Sequence, residues 1–266
     1  MRKMFLSLIG VVIIASAGAA EPKSAVRKAT SPASDRPAAA TATSPAATAT
    51  SPAANADIQR IKALEAAQAW LKSINYVMSL DQVPQQKKLQ LQMYGSFNGI
   101  STQQLISNEN LIHLRVMTGL EELSLPNWTS DEGLANVAGL NRLKTLNATV
   151  SRVTDAGMVH LKDLAALETV ILHGTKVTAQ GLMHLKGKPL VLLGLNQTAL
   201  GDADMQTISS FTGLKSLFLV GTQITDASVP HLKKLTALTR LDLAGTKVSA
   251  AAKQELKSAN PGLAIH

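Results

Sequence analysis

Between Leu217 and Leu235 the chain reads LFLVGTQITDASVPHLKKL. Apolar positions alternate at first, a Gly-Thr pair follows, then a hydroxyl and an acid, and finally apolar residues three apart. Alternation is the mark of a strand with one buried face, and i, i+3 spacing that of a helix with one buried face. Both in so short a stretch imply one supersecondary unit. The pattern recurs: paired apolar positions begin at Leu123, Leu146, Val170, Leu193, Leu217 and Leu241, at intervals of 23 or 24 residues. Six copies at that period predict a solenoid, in which each unit buries its apolar face against its neighbours.

Each column of the repeat then acquires a role. The L-x-L pairs predict short strands stacked in a parallel sheet, with Leu143, Leu167, Leu190, Leu214 and Leu238 lengthening the buried ladder. Gly174-Thr175, Gly221-Thr222 and Gly245-Thr246 predict a tight turn, after which Val153, Val177, Leu200, Ile224 and Val248 return to the core. Ser130, Thr154, Thr178, Thr225 and Ser249 are expected helix N-caps, and Asp131, Asp155 and Asp226 suit the positive end of the short helix that follows. Met158 with Leu161, Leu182 with Leu185, and Val229 with Leu232 mark its inward face. Pro230 lies late for a first-turn proline and predicts a delayed or irregular helix.

The ends depart from the repeat, as caps do. Residues 57–80 predict a capping helix with Ile58, Ile61, Leu64 or Glu65, Ala69 and Leu71 inward; Leu89 to Met93 predict a divergent first strand, followed by a longer insertion; Leu263 and Ile265 predict a last edge strand. Residues 57–94 are thus expected to form an N-terminal cap with the first strand, and residues 95–266 the repeat domain.

Ahead of them, residues 1–20 have the layout of a secretory signal peptide: Arg2 and Lys3, an apolar run from Met4 to Ile14, and small residues through Ala20. An uncleaved anchor is the rival reading, weakened by the shortness of the run. With the signal removed, no stable membrane span is expected. Residues 21–56 repeat T-S-P-A with one bulky aliphatic, Val26, too little apolar surface to offset the cost of ordering, so a disordered linker is expected. Its Ser, Thr and Pro also suit glycosylation or spacing through a cell wall.

Charge and composition narrow the function. Net charge is +8, and half of that excess lies in residues 1–56. With aromatics at only 3%, the chain lacks the basic stripe and stacking platforms of a nucleic-acid module, and no nucleic-acid partner is expected. The absence of cysteine excludes disulfides, a thiol nucleophile and a lipidated cysteine.

The candidate chemistry is sparse. His160, His184 and His231 share one column, with His113 in a similar setting, but a metal needs nitrogens about 2.0–2.1 Å from one ion, whereas neighbouring helices pack roughly 8–10 Å apart. They read as partly exposed helix residues. Asp202 with Asp204 and Glu121 with Glu122 read as solvated charge. Sequons at Asn127, Asn147 and Asn196 read as coincidence, the last two falling on a close-packed strand face. No phosphate loop, H-E-x-x-H or G-x-S-x-G is present. Neither a catalytic centre, a metal nor a cofactor is implied.

The consensus L-x-x-L-x-x-L-x-L-x-G-T-x-V-T-D-x-G-L-x-H-L, over residues 120–258, resembles bacterial leucine-rich repeat proteins related to the cysteine-containing repeat class of F-box proteins. The cysteine column holds Ser151, Thr175, Thr222 and Thr246 here, and no F-box is discernible in residues 57–94, so ubiquitin-ligase function is not carried over. The resemblance implies an α/β leucine-rich repeat solenoid: a right-handed β-α superhelix with a parallel sheet on its concave face, short helices on its convex face and an N-terminal helical cap.

It also implies that partners bind the concave sheet. There the outward positions include Ile171, His173, Leu192, Asn196, Phe218, Val220, Arg240 and Asp242. Ile171, Leu192, Phe218 and Val220 are apolar where a merely solvated face would be polar, which marks an interaction site; strand propensity alone is the competing account. The expected function is that of an exported module, in the periplasm, at the cell surface or outside the cell, binding a protein or peptide ligand on this face. A structural envelope protein and a secreted effector acting on a host protein are the alternatives.

Overall fold

A computed structural model describes residues 52–74, 82–91, 96–97, 100–101 and 106–266. The expected signal segment, residues 21–51 of the expected linker, residues 75–80 of the expected capping helix, and Met93 lie outside the described residues.

Eight short strands form one parallel sheet in the order β1 (Lys88–Gln90), β4 (Glu122–Ser124), β5 (Thr145–Asn147), β6 (Thr169–Ile171), β7 (Leu192–Gly194), β8 (Ser216–Phe218), β9 (Arg240–Asp242) and β10 (Ala264–Ile265). Between β1 and β4, an antiparallel pair of β2 (Ser96–Phe97) and β3 (Ile100–Ser101) occupies the expected insertion. The register aligns Leu89, Leu123, Leu146, Val170, Leu193, Leu217 and Leu241, all at most 1% exposed. Two residues on, Leu91, Leu125, Ala148, Leu172, Leu195, Leu219 and Leu243 form a second buried line. Each fully buried leucine contributes about 1.5–3 kcal/mol relative to exposure, so these lines dominate the core. Strands stack about 4.7–4.9 Å apart, closer than helices can, so the sheet takes the inside of the curve and the helices the outside. The fold is the expected leucine-rich repeat solenoid.

The turn after each strand is left-handed in one column: Gly174, Gly221 and Gly245 have φ of 65°, 69° and 69°. Val150 and Gln197 occupy the same column with φ of 56°. The next residue closes the turn, as when the hydroxyls of Thr175, Thr222 and Thr246 donate to the carbonyls of Leu172, Leu219 and Leu243 at 2.7–2.8 Å.

Four of the five expected N-caps form. The hydroxyls of Thr154, Thr178, Thr225 and Ser249 accept from the amides of Ala156, Gln180, Ala227 and Ala252. Ser130 makes no such bond; its hydroxyl donates to Glu132 and accepts from Asn108 Nδ2 at 2.9 Å. Pro230 sits at the second position of Val229–Leu232, behind a 3-10 turn at Asp226–Ser228, so that helix is delayed as expected.

The aspartates do more than complement a helix terminus. Asp131 accepts from the Thr154 amide (2.8 Å) and hydroxyl (2.7 Å) of the next repeat, and Asp155 does the same for Thr178. Room for the carboxylate comes from a glycine: a Cβ on Gly157 or Gly181 would lie 2.3 or 2.4 Å from the Asp131 or Asp155 oxygen. Asp202 and Asp204, expected as solvated charge, belong to this ladder instead. Asp202 accepts from the amide and hydroxyl of Thr225 and from the hydroxyl of buried Ser228. Burial works to raise its pKa, but the Ser228 hydroxyl and the two Thr225 donors outweigh it and hold the carboxyl below its ordinary value. Ala179 breaks the aspartate column, and Asp204, reaching back from the next repeat, accepts from the amides of Ala179 (3.1 Å) and Gly201 (2.8 Å). Glu121 is likewise engaged: Lys144 donates to it at 2.9 Å, with Lys87 and Arg142 within 4 Å.

The N-terminal helix runs Pro52–Ser73 and starts inside the segment expected to be linker, which agrees with the tolerance of proline in a first helical turn and the helix preference of the alanines behind it. Its inward face is the expected one in part: Leu71 is buried and Leu64 packs against the core, but Ala69 is exposed. Ala67, Trp70 and Leu71, with Ile74 just beyond, are buried, whereas Ile58 and Ile61 are 42% and 50% exposed. At the other end the ten-residue helix Ala250–Ala259 and β10 close the solenoid, with Leu263 buried.

Candidate functional site

The outward side chains of a parallel sheet in register form rows. One row reads Thr145, Thr169, Leu192, Ser216, Arg240, and the next Asn147, Ile171, Gly194, Phe218, Asp242. Strand spacing puts Ile171 and Phe218 about 9–10 Å apart with Gly194 between them. Beyond the strand ends a third row holds Thr149, His173, Asn196 and Val220, joined by the backbone path of the repeat.

Of the eight residues expected here, Arg240 is exposed and the others are partly buried. The structure gathers Ile171, His173, Asn196, Phe218 and Val220 around Gly194; Leu192, Arg240 and Asp242 flank this group. The polar members are engaged with backbone. Asn196 Oδ1 accepts from the Val220 amide at 2.9 Å, His173 Nδ1 from the Asn196 amide at 3.0 Å, and Asp242 Oδ1 from the Ala244 amide at 3.1 Å. The imidazole lies across Gly194, with Cε1 only 2.6 Å from where a Cβ would stand, and its edge meets the Phe218 ring at a centroid distance of 6.3 Å and 86°. Burial lowers the His173 pKa from its ordinary 6.5 and so favours the neutral ring, in keeping with Nδ1 as an acceptor.

Sequence reasoning missed two contributors. Gly194 had no side chain to attract notice, although a glycine at an outward strand position signals close approach by something else. Val150, 57% exposed, extends the apolar surface past the strand ends; its place in the glycine column was the available signal. The nearer half of the sheet is polar by contrast, with Ser124 and Asn147 where Ile171 and Phe218 stand further on, and Asn147 closes on the Thr149 amide and hydroxyl.

On the helical side Ile112, Val159 and Met183 share one column and are 49%, 36% and 59% exposed. The histidine column beside it is partly buried; His113 stacks on Trp70 at 5.4 Å, and burial lowers its pKa. Among the described residues no three His, Asp or Glu side chains converge in a way that could hold a metal ion, and no helix is long and apolar enough to cross a membrane.

No protein-family model matches the chain, and no curated protein matches it. Among solved structures an internalin (inlF) from Listeria monocytogenes matches at 17% identity with a TM-score of 0.51, over 71% of this chain and 50% of that one. An internalin C2 (inlC2) from the same organism matches at 18% identity with a TM-score of 0.49, over 77% of this chain and 92% of that one. The chain thus spans half the length of the first of these structures. At such identity the likeness to inlF extends to the fold, which is that of a leucine-rich repeat solenoid.

Proposed function

We propose that the protein is an exported interaction module that binds a protein or peptide on the concave sheet, at the patch formed by Ile171, His173, Asn196, Phe218 and Val220, with Leu192, Arg240 and Asp242 at its margin. The observation that carries this reading is the contrast along one row: Ser124 and Asn147 in the first strands, then Ile171, Gly194 and Phe218. Strand propensity alone would leave such side chains independent of one another. Here His173 spans the gap between them and is held by a backbone amide, so the surface is set before any partner arrives. Export rests on the signal-like first twenty residues, and the segment that follows would act as a tether.

Affinity capture tests the reading, with the wild-type chain and an Ile171→Glu, Phe218→Glu variant as parallel baits in envelope and secreted fractions. Both must melt alike. A partner held by the wild type and lost by the variant supports concave binding; equal capture by both would transfer the function to another surface or to the tether.

A further inference from the structure

The His173 ring has two nitrogens in different situations. Nδ1 is an acceptor, since the Asn196 amide donates to it at 3.0 Å. In a neutral imidazole the other nitrogen then carries the proton. No protein acceptor is found for Nε2 among the described residues, and it is not among the polar atoms sealed from solvent. The ring is held by the Asn196 amide, lies against the Phe218 ring and fills the space that Gly194 leaves open. The half-buried patch therefore presents one rigid N–H donor in apolar surroundings.

Resting on the concave-face reading, we propose that His173 is the polar recognition group of the patch, taking a peptide oxygen acceptor flanked by an aliphatic side chain, and that protonation of the ring releases it. The aliphatic group covers Ile171 and Phe218 while the oxygen accepts from Nε2–H. At the ring a cationic donor would face another donor, so His173 discriminates against it, and the nearest carboxylate in the row, Asp242, lies beyond Phe218. Protonation would set an Nδ1–H against the Asn196 N–H, donor facing donor, and the ring would have to leave the notch over Gly194. The neighbours around the ring are Ile171 on its own strand, and Gly194, Asn196 and Phe218 from the strands that follow. None of them titrates. The first charged side chain in the row is Asp242, one strand past Phe218.

The test is NMR of the full chain, watching the His173 ring nitrogens, the Asn196 amide and the Phe218 ring. The probes are N-acetyl-leucine methylamide, which has the acceptor beside an aliphatic chain, and isobutylammonium, which has the aliphatic chain beside a cation. At about pH 7.5 the first should shift Nε2–H and the Phe218 ring, and the second should leave Nε2–H unmoved. On acidification the acceptor-dependent shift should vanish with the His173 midpoint, below 6.5, as the Asn196 amide moves with it. Gly194→Ala, confirmed folded by its melt, should lose the Nε2–H response at every pH. If both probes shift Phe218 alike while Nε2–H stays still, or if His173 titrates without moving Asn196, the role given to His173 is overturned and the apolar patch survives. If neither probe moves Phe218 or Nε2–H, the concave-face reading falls as well.

Discussion

The turn leaving β5 and the turn leaving β8 follow the same path with different residues. In the first, the Val150 amide donates to the His173 carbonyl at 2.6 Å and the Ser151 amide to Ala148 at 3.2 Å; in the second, the Gly221 amide donates to Ala244 at 2.9 Å and the Thr222 amide to Leu219 at 3.2 Å. The left-handed residue is valine in one and glycine in the other. The Thr222 hydroxyl caps Leu219, whereas the buried Ser151 hydroxyl has no partner. A β-branched residue resists this conformation, so Val150 did not choose it. The neighbouring repeats did, because the amide of each turn must meet a carbonyl of the next. The stack fixes the backbone, and departures from consensus are borne as strain or as unpaired groups.

The largest perturbation breaks what both turns share. Leu219→Asp places an unpaired charge in a fully buried line and should abolish cooperative unfolding, read by circular dichroism on heating. Next comes the aspartate ladder. Asp131 holds Thr154 after the first turn with two bonds, and Asp202 holds Thr225 after the second with two bonds plus the Ser228 hydroxyl. Asp202→Ala should cost about 2–3 kcal/mol in urea melts and Asp131→Ala less, since each stranded donor to a charged acceptor adds to the loss. Acid should weaken the native state in the same place. With its folded pKa depressed, Asp202 contributes stability above its ordinary 3.8 that is lost as pH falls through the folded value, a dependence Asp202→Ala should reduce.

A reciprocal exchange of the left-handed residues sharpens the comparison further. Gly221→Val should destabilise by about 1–3 kcal/mol, and Val150→Gly should stabilise by up to about 1 kcal/mol, the relief of strain being partly offset by the entropy of glycine in the unfolded chain. Equal losses from both would mean that Val150 is unstrained. The smallest effect is expected at Thr129, whose buried hydroxyl also lacks a partner: Thr129→Val keeps the shape and should raise the unfolding midpoint by the equivalent of about 1 kcal/mol.

Much of this was legible in the sequence, because a repeat lets six noisy copies vote on one pattern. The buried leucine lines, the turn glycines, the caps at Thr154, Thr178, Thr225 and Ser249 and the delay at Pro230 follow from spacing alone. The first helix is not repeated, and its alanine-rich composition fits several inward faces, so its start and the Ile58, Ile61 and Ala69 part of its packing stripe were misplaced. Asp202 and Asp204 read as solvated because their partners, the Gly201 amide excepted, are on adjacent repeats; carboxylates look alike in sequence whether they meet water or the amide of another repeat. In the candidate site the apolar members Ile171, Leu192, Phe218 and Val220 stood out by chemistry. What joins them did not: the gap at Gly194, and the histidine lying across it, exist only once the register is set.

The central claim is that the apolar patch on the sheet, and not the exposed apolar column on the helices, meets the partner. Site-specific photo-crosslinking addresses it directly, with a benzophenone amino acid replacing Phe218 in one chain and Met183 in another, each irradiated in the producing cell. A discrete protein adduct from position 218 and none from position 183 is the predicted result. Adducts from position 183 alone would contradict the account and move the binding surface to the convex face.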